Sequence, residues 1–542
     1  MLARARFSLL LSVLLLVSAG CSQQESGSGR SAPSESASSA GTPRPTDPVP
    51  ELEGEEPGDR LDDALPGRTD VSAAARAASR LSLYELAGQV IVARYGGTAA
   101  PVGLVRDLHL GGVIVFDDNV TSTGQIAGSN RTLRRQIHRP LFVGVDQEGG
   151  VVERVQGRAT RFPAFMSAGA ADDPALTRAA ARASGAELNG LGFVGVFAPD
   201  ADVTSGPDDP TIGSRSAGAS PALVSRHVLA SLAGFTSTGV LPVVKHFPGH
   251  GSVPADSHEV LPVQKRTRAT LAKVDMAPFR KAVEAGAPAI MVGHIDVRAI
   301  DAGTPASLSR KVITGVLRRQ LGFTGLIVTD ALDMAGISND NGSRAAAVKA
   351  LRAGADVLLM PAEPVAARDA IVQAVRNGSL RRDRLEDAAT RVLSFLIHQQ
   401  KSKQVTAKPG SGAKASANLS SAAITMVAGP CRGRLVGPRV HVTGGDAEQV
   451  AALRAAAERA GLKSGSRGSE VSLIGWQGAP VEADVAVALD TPYALGSSQA
   501  RTKIATFGDT PGAMDALVQV LLGKARAPGR LPVQISGAGK GC

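Results

Sequence analysis

The chain has 542 residues, 43% of them hydrophobic but only 3% aromatic, so it exceeds one ordinary domain and must fill its core with alanine, valine and leucine. Its 59 lysines and arginines outnumber 49 acidic residues and give a net charge of +10. The basic residues are scattered and not interleaved with aromatic ones, which argues against a nucleic-acid partner and predicts a solvated basic surface. Weak attraction to an anionic envelope polymer or lipid surface is the alternative.

The first 20 residues have the pattern of a targeting segment. Arg4 and Arg6 precede an apolar run over residues 7–17, which is too short for a permanent membrane helix but suits a signal peptide. Small residues at 18–20 lead to Cys21 and resemble a bacterial lipobox. The pattern predicts that Cys21 is a lipidated N-terminus, with an ordinary signal peptide cleaved elsewhere as the alternative.

Residues 21–70 are expected to form the lipidated Cys21 and a disordered tether. The stretch from 22 onward is rich in Ser, Gly, Pro and Glu and has no apolar periodicity. As a flexible coil of about fifty residues it spans on the order of 40 Å. Apart from Cys21, the chain has only Cys431 and Cys542, and a disulfide between them and two free thiols are equally open readings.

Eight short, β-rich apolar runs recur over residues 71–400, separated by stretches compatible with helices. They lie at residues 89–93, 112–116, 141–145, 193–198, 240–244, 289–293, 326–329 and 357–360. Continuous apolar runs are typical of a parallel sheet that is covered on both faces. Eight such units in about 330 residues predict a TIM-type (β/α)8 barrel, with a doubly wound open sheet as the alternative.

Titratable residues follow five of these eight runs. They are Asp146, Asp200, Lys245 with His246, His294 and Asp330. In a barrel the carboxyl ends of the strands converge on one face, where active sites lie. We therefore expect these side chains to form one site.

The most informative stretch is residues 245–258, which reads K-H-F-P-G-H-G-S-V-P-A-D-S-H. Its prolines and glycines exclude a helix, so residues 247–255 are expected to be a loop that follows the buried strand 240–244. The loop ends in Asp256 and His258. A loop this rich in titratable groups at the end of a strand is a candidate for chemistry.

Asp330, together with the residue types in this stretch, suggests glycosyl transfer. A bare carboxylate such as that of Asp330 suits attack on the anomeric carbon of a sugar, where the transition state is cation-like. An imidazole exchanges protons near neutral pH, so His258 can act as acid and base. Asp256 can fix the tautomer of His258 and favour its protonated form.

A metal site is the competing chemistry. His246, His250, Asp256 and His258 include enough ligands for zinc. Their spacing matches no closed zinc motif, and the two close histidines lie on a Pro/Gly-rich loop. We therefore expect no metal and no cofactor, and a structural role for His250.

The motif at 245–258 resembles the signature of the β-N-acetylglucosaminidase branch of family 3 glycoside hydrolases. Further segments in the same order carry the resemblance across the barrel. They are G-G-V-I-V-F at 111–116, V-D-Q-E-G-G-V-V-E-R at 145–154, F-A-P-D-A-D-V at 197–203, I-G-S-R-S at 212–216, P-A-S-L-S at 305–309, L-G-F-T-G-L-I-V-T-D-A-L-D-M at 321–334 and A-G-A-D-V-L-L-M at 353–360.

The resemblance implies roles at matching positions. Asp330 would be the nucleophile of a retaining double displacement, with His258 and Asp256 as the acid/base dyad. Five residues would line the pocket that grips the terminal sugar: Asp146, Arg154, Arg215, Lys245 and His246. A surface or cap salt bridge is the alternative for the two arginines.

A second, smaller α/β domain is expected over residues 421–542, after a basic linker at 401–420. T-F-G-D-T-P-G at 506–512 and A-P-G-R-L-P-V at 527–533 resemble the C-terminal domain of two-domain members of the family. In the β-glucosidase branch that domain supplies a glutamate acid/base. Glu470 and Glu482 lack the expected neighbours, so the domain is interpreted as structural or substrate-flanking.

The combined prediction is a retaining exo-β-N-acetylglucosaminidase that acts on cell-wall muropeptides or related glycans. We expect it to be a lipoprotein anchored outside the cytoplasmic membrane. A phosphorylase is the first alternative, because a histidine repels phosphate less than a carboxylate does. A β-glucosidase and a non-catalytic glycan-binding lipoprotein are the others.

Overall fold

The computed structural model describes residue 61 and residues 64–537, with the side chains of 338–341 left out. The expected signal peptide, Cys21 and most of the tether lie outside the described residues. Cys431 is disulfide-bonded. Among the helices of the described part, none combines the length and the apolar character needed to span a membrane.

Eight parallel strands form the first sheet. In chain order they are β1 Ile91–Arg94, β2 Gly112–Val115, β3 Phe142–Val145, β4 Gly195–Val196, β5 Leu241–Phe247, β6 Ala289–Val292, β7 Leu326–Thr329 and β8 Leu358–Leu359. Each strand pairs with the next along the chain, and β1 pairs with β8. A parallel bridge between Val328 and Val357 joins β7 to the start of β8 and closes the sheet into a barrel. The predicted TIM-type fold is confirmed.

Side chains of successive strand residues pack on opposite sides of the barrel wall. Along β7, Ile327 belongs to the large core beneath the helices, whereas Leu326 and Val328 belong to the cluster inside the barrel. Both clusters are apolar, which explains why the strands read as continuous hydrophobic runs. Strand β5 is longer than predicted: it runs through Lys245 and His246 to Phe247, and Pro248, which has no N–H, follows it.

Helices surround the barrel. The longer ones are Arg68–Ala78, Leu83–Gln89, Val102–Leu108, Thr123–Gln136, Pro174–Gly190, Pro221–Thr236, Ala277–Glu284, the π-helical Lys311–Gln320, Ala335–Ala353 with an interruption at Gly342, Pro364–Arg376 and Arg382–Lys401. Shorter helices are Met166–Ala171, Arg268–Lys273 and Arg298–Asp301, with 3-10 turns at Asp117–Asn119, Gly213–Arg215 and Ala306–Leu308. Two strand pairs lie in the loops: Gln147–Gly149 with Val152–Glu153, and Val263–Gln264 with Asp296–Val297.

A second sheet forms the C-terminal domain. Its strands are β9 Thr425–Ala428, β10 Arg439–Gly444, β11 Lys463–Ser464, β12 Ser469–Ile474, β13 Glu482–Ala488 and β14 Gln499–Ala505, in the order β9-β14-β13-β12-β10-β11. All neighbours are parallel except β9 and β14. Its helices are Ala413–Ala423, Ala447–Arg459, Ala494–Ser497 and Pro511–Leu521.

The two domains share an apolar cluster. Met166 and Ala170 of the barrel pack with Ala423, Val427 and Phe507 of the C-terminal domain. Backbone hydrogen bonds reinforce this contact, among them Ala164 N–H to the Phe507 carbonyl at 2.9 Å. Helix Ala413–Ala423 begins inside the stretch expected to be a linker and contacts barrel helices, so that part of the stretch is ordered structure.

Candidate active site

The carboxyl ends of the barrel strands bring the expected polar side chains to one face. Asp146 follows β3, Lys245 and His246 end β5, and Asp330 follows β7. Lys245 reaches Asp146 past the intervening strand β4, with an Nζ–Oδ1 distance of 2.6 Å. Residues separated by up to about 180 positions therefore form one site, because the parallel barrel aligns their strand ends.

Asp330 is buried, with 8% of its surface exposed. Its Oδ1 accepts a hydrogen bond from the Ala331 N–H at 2.8 Å. Burial by itself would raise the pKa of Asp330, but the neighbouring His294 and His246 and the Ala331 N–H outweigh it and hold the pKa below its ordinary value. The Asp330 carboxylate is therefore ionised at neutral pH, as a nucleophile must be.

His258 is on the loop after β5, and its side chain is 64% exposed. Its Nδ1 lies 2.7 Å from Asp256 Oδ1, and the same oxygen accepts the His258 backbone N–H at 2.9 Å. Burial would raise the pKa of Asp256, but these two hydrogen bonds to His258 hold it below its ordinary value. Asp256 thus holds the Nδ1–H tautomer, which leaves Nε2 free to exchange a proton.

The loop with His258 rests on the element that follows Asp330. Gly336, near the start of helix Ala335–Ala353, donates its N–H to the Ser257 carbonyl at 3.3 Å. The charge of His258 is close enough to contribute to the lowered pKa of Asp330. The structure therefore places the loop that carries His258 against the helix that follows Asp330.

Glu148 is a site residue that the sequence analysis missed. Its two oxygens accept hydrogen bonds from Arg215 Nε and Nη2, both at 2.9 Å, and Oε1 lies 2.5 Å from Lys245 Nζ. Burial opposes ionisation, but these two cations hold the pKa of Glu148 far below its ordinary value. The signal was present in the D-Q-E-G-G motif, where Gly149 and Gly150 both adopt positive φ and turn the chain after Glu148.

Asp202 is a second missed residue, and it holds the β5 end in place. Its Oδ2 lies 2.8 Å from His246 Nδ1, and its Oδ1 accepts the His250 N–H at 2.6 Å. Burial raises the pKa of Asp202 to about 7 and lowers the pKa of His246 to about 4. Neutral His246 therefore presents Nε2 to Arg215, 3.5 Å away. His250 is buried, and its Nε2 lies 3.0 Å from Ser257 Oγ.

Arg154 lies at the edge of this group. Its guanidinium is 3.3 Å from Asp117 Oδ2 and 5.3 Å from the ring centroid of Phe116. Its backbone N–H donates to Gln147 Oε1 at 2.9 Å. Arg154 and Arg215 thus differ: Arg215 is integrated into the buried carboxylate network, whereas Arg154 is held by a partly exposed ion pair and an aromatic face.

Among the described residues, one group has the ligand types and spacing for a metal ion: Asp200, Asp202 and His246, with ligand atoms within 4.8 Å of one another. This group differs from the histidines and Asp256 considered from sequence. His246 and Asp202 already satisfy each other by a hydrogen bond. Asp200 also lies 3.6 Å from Arg215 Nη2, so the group belongs to the buried network of charged side chains.

The C-terminal domain reaches this face. Asp490, just after β13, accepts a short hydrogen bond from Ser214 Oγ, one residue before Arg215. Arg161 Nη2 lies 2.6 Å from Asp509 Oδ1, which fastens a second barrel loop to the same domain. Glu470, on β12, accepts a hydrogen bond from Thr443 Oγ1 at 2.9 Å.

The fold and the site together define a (β/α)8 barrel protein with an ionised aspartate and a histidine–aspartate pair on loops at the carboxyl ends of its strands. Comparison with known proteins gives the family. Residues 84–395 match the glycosyl hydrolase family 3 N-terminal domain. Because this match spans more than half of the chain, the chain belongs to glycosyl hydrolase family 3.

Two curated relatives and one solved structure are informative. Beta-hexosaminidase A of Pseudoalteromonas piscicida is 39% identical over 280 residues, which are 48% of this chain and 47% of that protein. Beta-hexosaminidase LpqI of Mycobacterium tuberculosis is 33% identical over 329 residues, 58% of this chain and 83% of that protein. The structure of a glycoside hydrolase family 3 beta-N-acetylglucosaminidase from Paenibacillus sp. str. FPU-7 has a TM-score of 0.77 at 29% identity, and 84% of this chain and 99% of that one are covered. The chain spans about half the length of the first relative.

Proposed function

We propose that the chain is a retaining exo-β-N-acetylglucosaminidase that releases terminal N-acetylglucosamine through a covalent glycosyl-enzyme intermediate. One observation supports the proposal: the loop that carries the His258–Asp256 pair rests on the helix that follows the ionised Asp330. The names of the relatives, hexosaminidases and an acetylglucosaminidase, support this choice of sugar.

The proposed reaction has two displacements at the anomeric carbon. In the first, an Asp330 oxygen forms a bond to that carbon while the glycosidic C–O bond breaks and His258 Nε2–H protonates the departing oxygen. In the second, His258 Nε2 takes a proton from water, the water oxygen bonds to the anomeric carbon, and Asp330 leaves as the carboxylate. Two inversions retain the β configuration. Asp256 accepts the Nδ1–H throughout and stabilises the imidazolium.

The sugar pocket is proposed to use the charged network beside Asp330. Lys245 and Arg215 supply N–H donors, and Asp146 and the neutral His246 supply acceptors for hydroxyl groups. Arg154 is proposed to supply a further N–H donor at the outer edge of the sugar pocket. Burial opposes the charge on Lys245, but Asp146 and Glu148 raise its pKa, so the donor stays protonated. A network that is already ionised and held in place binds a polyhydroxylated ligand with little rearrangement.

The natural substrate is proposed to be a cell-wall muropeptide or a related glycan outside the cytoplasmic membrane. The apolar run at residues 7–17 and the small residues before Cys21 support export and lipid attachment. The Ser- and Pro-rich segment after Cys21 would then tether the folded part to the membrane.

An assay of aryl glycosides tests the proposed activity. The wild-type chain is expected to release the aryl group from an N-acetyl-β-glucosaminide much faster than from a β-glucoside, and to release free N-acetylglucosamine with or without phosphate. Asp330→Asn is the matched inactive control, because it keeps the size of the side chain but removes the nucleophile. Sugar 1-phosphate as the product would establish a phosphorylase, preference for the glucoside a glucosidase, and binding without turnover a non-catalytic protein.

A further inference from the structure

An arginine-rich groove lies on the barrel, away from the active site. Seven arginines and two aspartates line it, an excess of five positive charges, and it encloses about 1130 Å³ of space open to solvent. It runs between the π-helical segment Lys311–Gln320, the end of helix Ala335–Ala353 and the start of helix Arg382–Lys401. We call this feature the arginine groove.

Part of this charge has a structural role. Asp356, at the floor of the groove, is 1% exposed and accepts hydrogen bonds from Arg318 and Arg384. Arg391 lies 3.9 Å from the same carboxylate and 3.3 Å from Asp387. Burial, and repulsion from Arg391 and Arg384, lower the pKa of Arg318 even though Asp356 opposes this effect. The two aspartates therefore do not neutralise the cations that surround them.

Three further arginines at the rim have no ion pair or side-chain hydrogen bond within the described part of the chain. They are Arg310, Arg319 and Arg352, and all three are exposed. Guanidinium groups bind phosphate oxygens through two parallel N–H donors, and they do so best where several are clustered. The groove thus has the positive charge and the type of donor that phosphate groups require.

The position of the groove in the barrel selects the source of the phosphate. Asp356 precedes β8, and Arg318 donates to the carbonyl of Gly325, which precedes β7, so the groove is on the face at the amino ends of the strands. Leu61, the first described residue, donates its N–H to the carbonyl of Ala285, which lies before β6 on that same face. The segment that leads back to Cys21 therefore joins the barrel on the same face as the groove, opposite Asp330.

We propose that the arginine groove binds the phosphate groups of an anionic phospholipid surface and so orients the active site away from the membrane. The choice of a lipid surface rests on the proposed lipid attachment at Cys21. The affinity of the groove for phosphate rests on its arginines alone and does not depend on that attachment. The tether would bring the membrane near this face, and the groove adds an electrostatic contact to it. The sugar pocket, on the opposite face of the barrel, would then open away from the membrane, toward the glycan substrate.

The test uses the chain from residue 21 to residue 542 with Cys21→Ser, so that no lipid is attached and every described residue is kept. Binding is measured by sedimentation with vesicles of phosphatidylcholine alone and of phosphatidylcholine mixed with phosphatidylglycerol, at low and high salt. The groove variant is Arg310→Gln/Arg319→Gln/Arg352→Gln. The matched control is Arg467→Gln/Arg501→Gln/Arg526→Gln in the C-terminal domain, which removes the same charge from exposed arginines.

We expect binding only to the anionic vesicles, and loss of that binding at high salt. An arginine near an anionic surface contributes about fivefold in affinity, so the groove variant should bind about 100-fold more weakly, and the control variant only slightly more weakly than the parent. Equal losses in the two variants would show attraction by net charge alone and overturn the proposal. Inorganic phosphate that binds in the groove without any vesicle binding would also overturn it, by identifying a soluble anion as the ligand.

Hydrolysis of an aryl N-acetylglucosaminide by the same preparations separates this proposal from the proposed activity. The groove variant is expected to hydrolyse the aryl substrate at the parent's rate, because its three positions are on the opposite face. Parent-like hydrolysis combined with parent-like vesicle binding would refute the groove and leave the catalytic proposal intact. An inactive parent that still binds anionic vesicles through the groove would refute only the catalytic proposal.

Discussion

Individual charges in the site are balanced by partners on other strands. Lys245 on β5 contacts Asp146 after β3 and Glu148 in the following hairpin, and Glu148 also binds Arg215. Because burial removes water from these groups, each must be compensated by a neighbour of opposite charge. Loss of any one carboxylate would leave a buried cation with fewer partners.

His258→Ala is expected to affect substrates according to their leaving groups. Removal of a general acid slows the first displacement by about 10²- to 10⁴-fold when the leaving group needs a proton. An aryl group that leaves as a stable anion needs little help, so its first displacement should hardly change. The measurement is kcat/KM over a series of aryl N-acetylglucosaminides of differing phenol acidity. Equal loss across the series would remove His258 from the role of acid.

Glu148→Gln tests the missed residue. The amide keeps the shape of the side chain but cannot neutralise Lys245 and Arg215, so we expect a KM increase of at least about tenfold. The same series of aryl substrates should show no dependence on leaving group, unlike His258→Ala. Glu85→Gln, at an exposed cap of helix Leu83–Gln89, is the control. A KM equal to the parent's for Glu148→Gln would exclude Glu148 from sugar binding.

Glu153→Gln tests the pH dependence of stability. Burial raises the pKa of Glu153 to about 7, although hydrogen bonds from Phe162 N–H and Arg161 oppose this effect. A carboxyl group whose pKa is raised in the folded state makes the fold less stable as the pH rises from its ordinary pKa of 4.5 to about 7.

The neutral amide removes this effect, so the free energy of unfolding of Glu153→Gln should rise relative to wild type over that pH range. At about 1.4 kcal/mol for each pKa unit, the expected change is about 3 kcal/mol. Urea unfolding at several pH values measures it. A constant difference between variant and wild type across the range would contradict the raised pKa.

At the level of secondary structure, the loop after β5 depends on a glycine in another element. A side chain added at Gly336 would place its Cβ 2.9 Å from the Ser257 carbonyl and 3.1 Å from the Val260 carbonyl. The loop that carries His258 would then have to move away from helix Ala335–Ala353. Glycine at this position therefore permits the loop to dock beside Asp330.

Gly336→Ala is expected to reduce kcat about tenfold or more for substrates with poor leaving groups, because a displacement of about 1 Å is enough to misplace a catalytic group. Gly128→Ala, in helix Thr123–Gln136, is the control, because its nearest neighbouring atom is 4.0 Å away. Steady-state kinetics of both variants on aryl and disaccharide substrates measure the effect. Parent-like rates for Gly336→Ala would show that the loop position is unimportant for proton transfer.

At the level of the whole molecule, the C-terminal domain contacts loops of the barrel face. Asp490 holds Ser214, and Arg215 follows Ser214 in the 3-10 turn Gly213–Arg215. The shared apolar cluster and the Arg161–Asp509 ion pair keep the domain in place. The domain thus holds the turn on which Arg215 lies.

Asp490→Ala is expected to raise KM for the sugar several-fold with a smaller change in kcat, because Arg215 would lose its fixed position while Asp330 and His258 stay as they are. Asp515→Ala is the control: it removes an exposed carboxylate of the same domain that pairs with Arg459. Thermal unfolding of both variants shows whether the fold is retained. A KM equal to the parent's would show that Asp490 does not position Arg215 for sugar binding.

The sequence by itself determined the barrel, because a parallel sheet covered on both sides needs continuous apolar runs such as 240–244 and 326–329, and these are readable in one dimension. It also indicated Asp330, His258 and Asp256, because their motifs are local. Only the tertiary structure revealed the residues that hold Lys245, His246 and the turn before Arg215 in place. Glu148, Asp202 and Asp490 act through contacts with residues 44 to 276 positions away in the chain. The arginine groove forms where polar faces of several helices meet, and in the sequence these faces are separate. Such contacts depend on the order of the strands, the direction of the side chains and the docking of the two domains. The packing of the whole molecule decides all three.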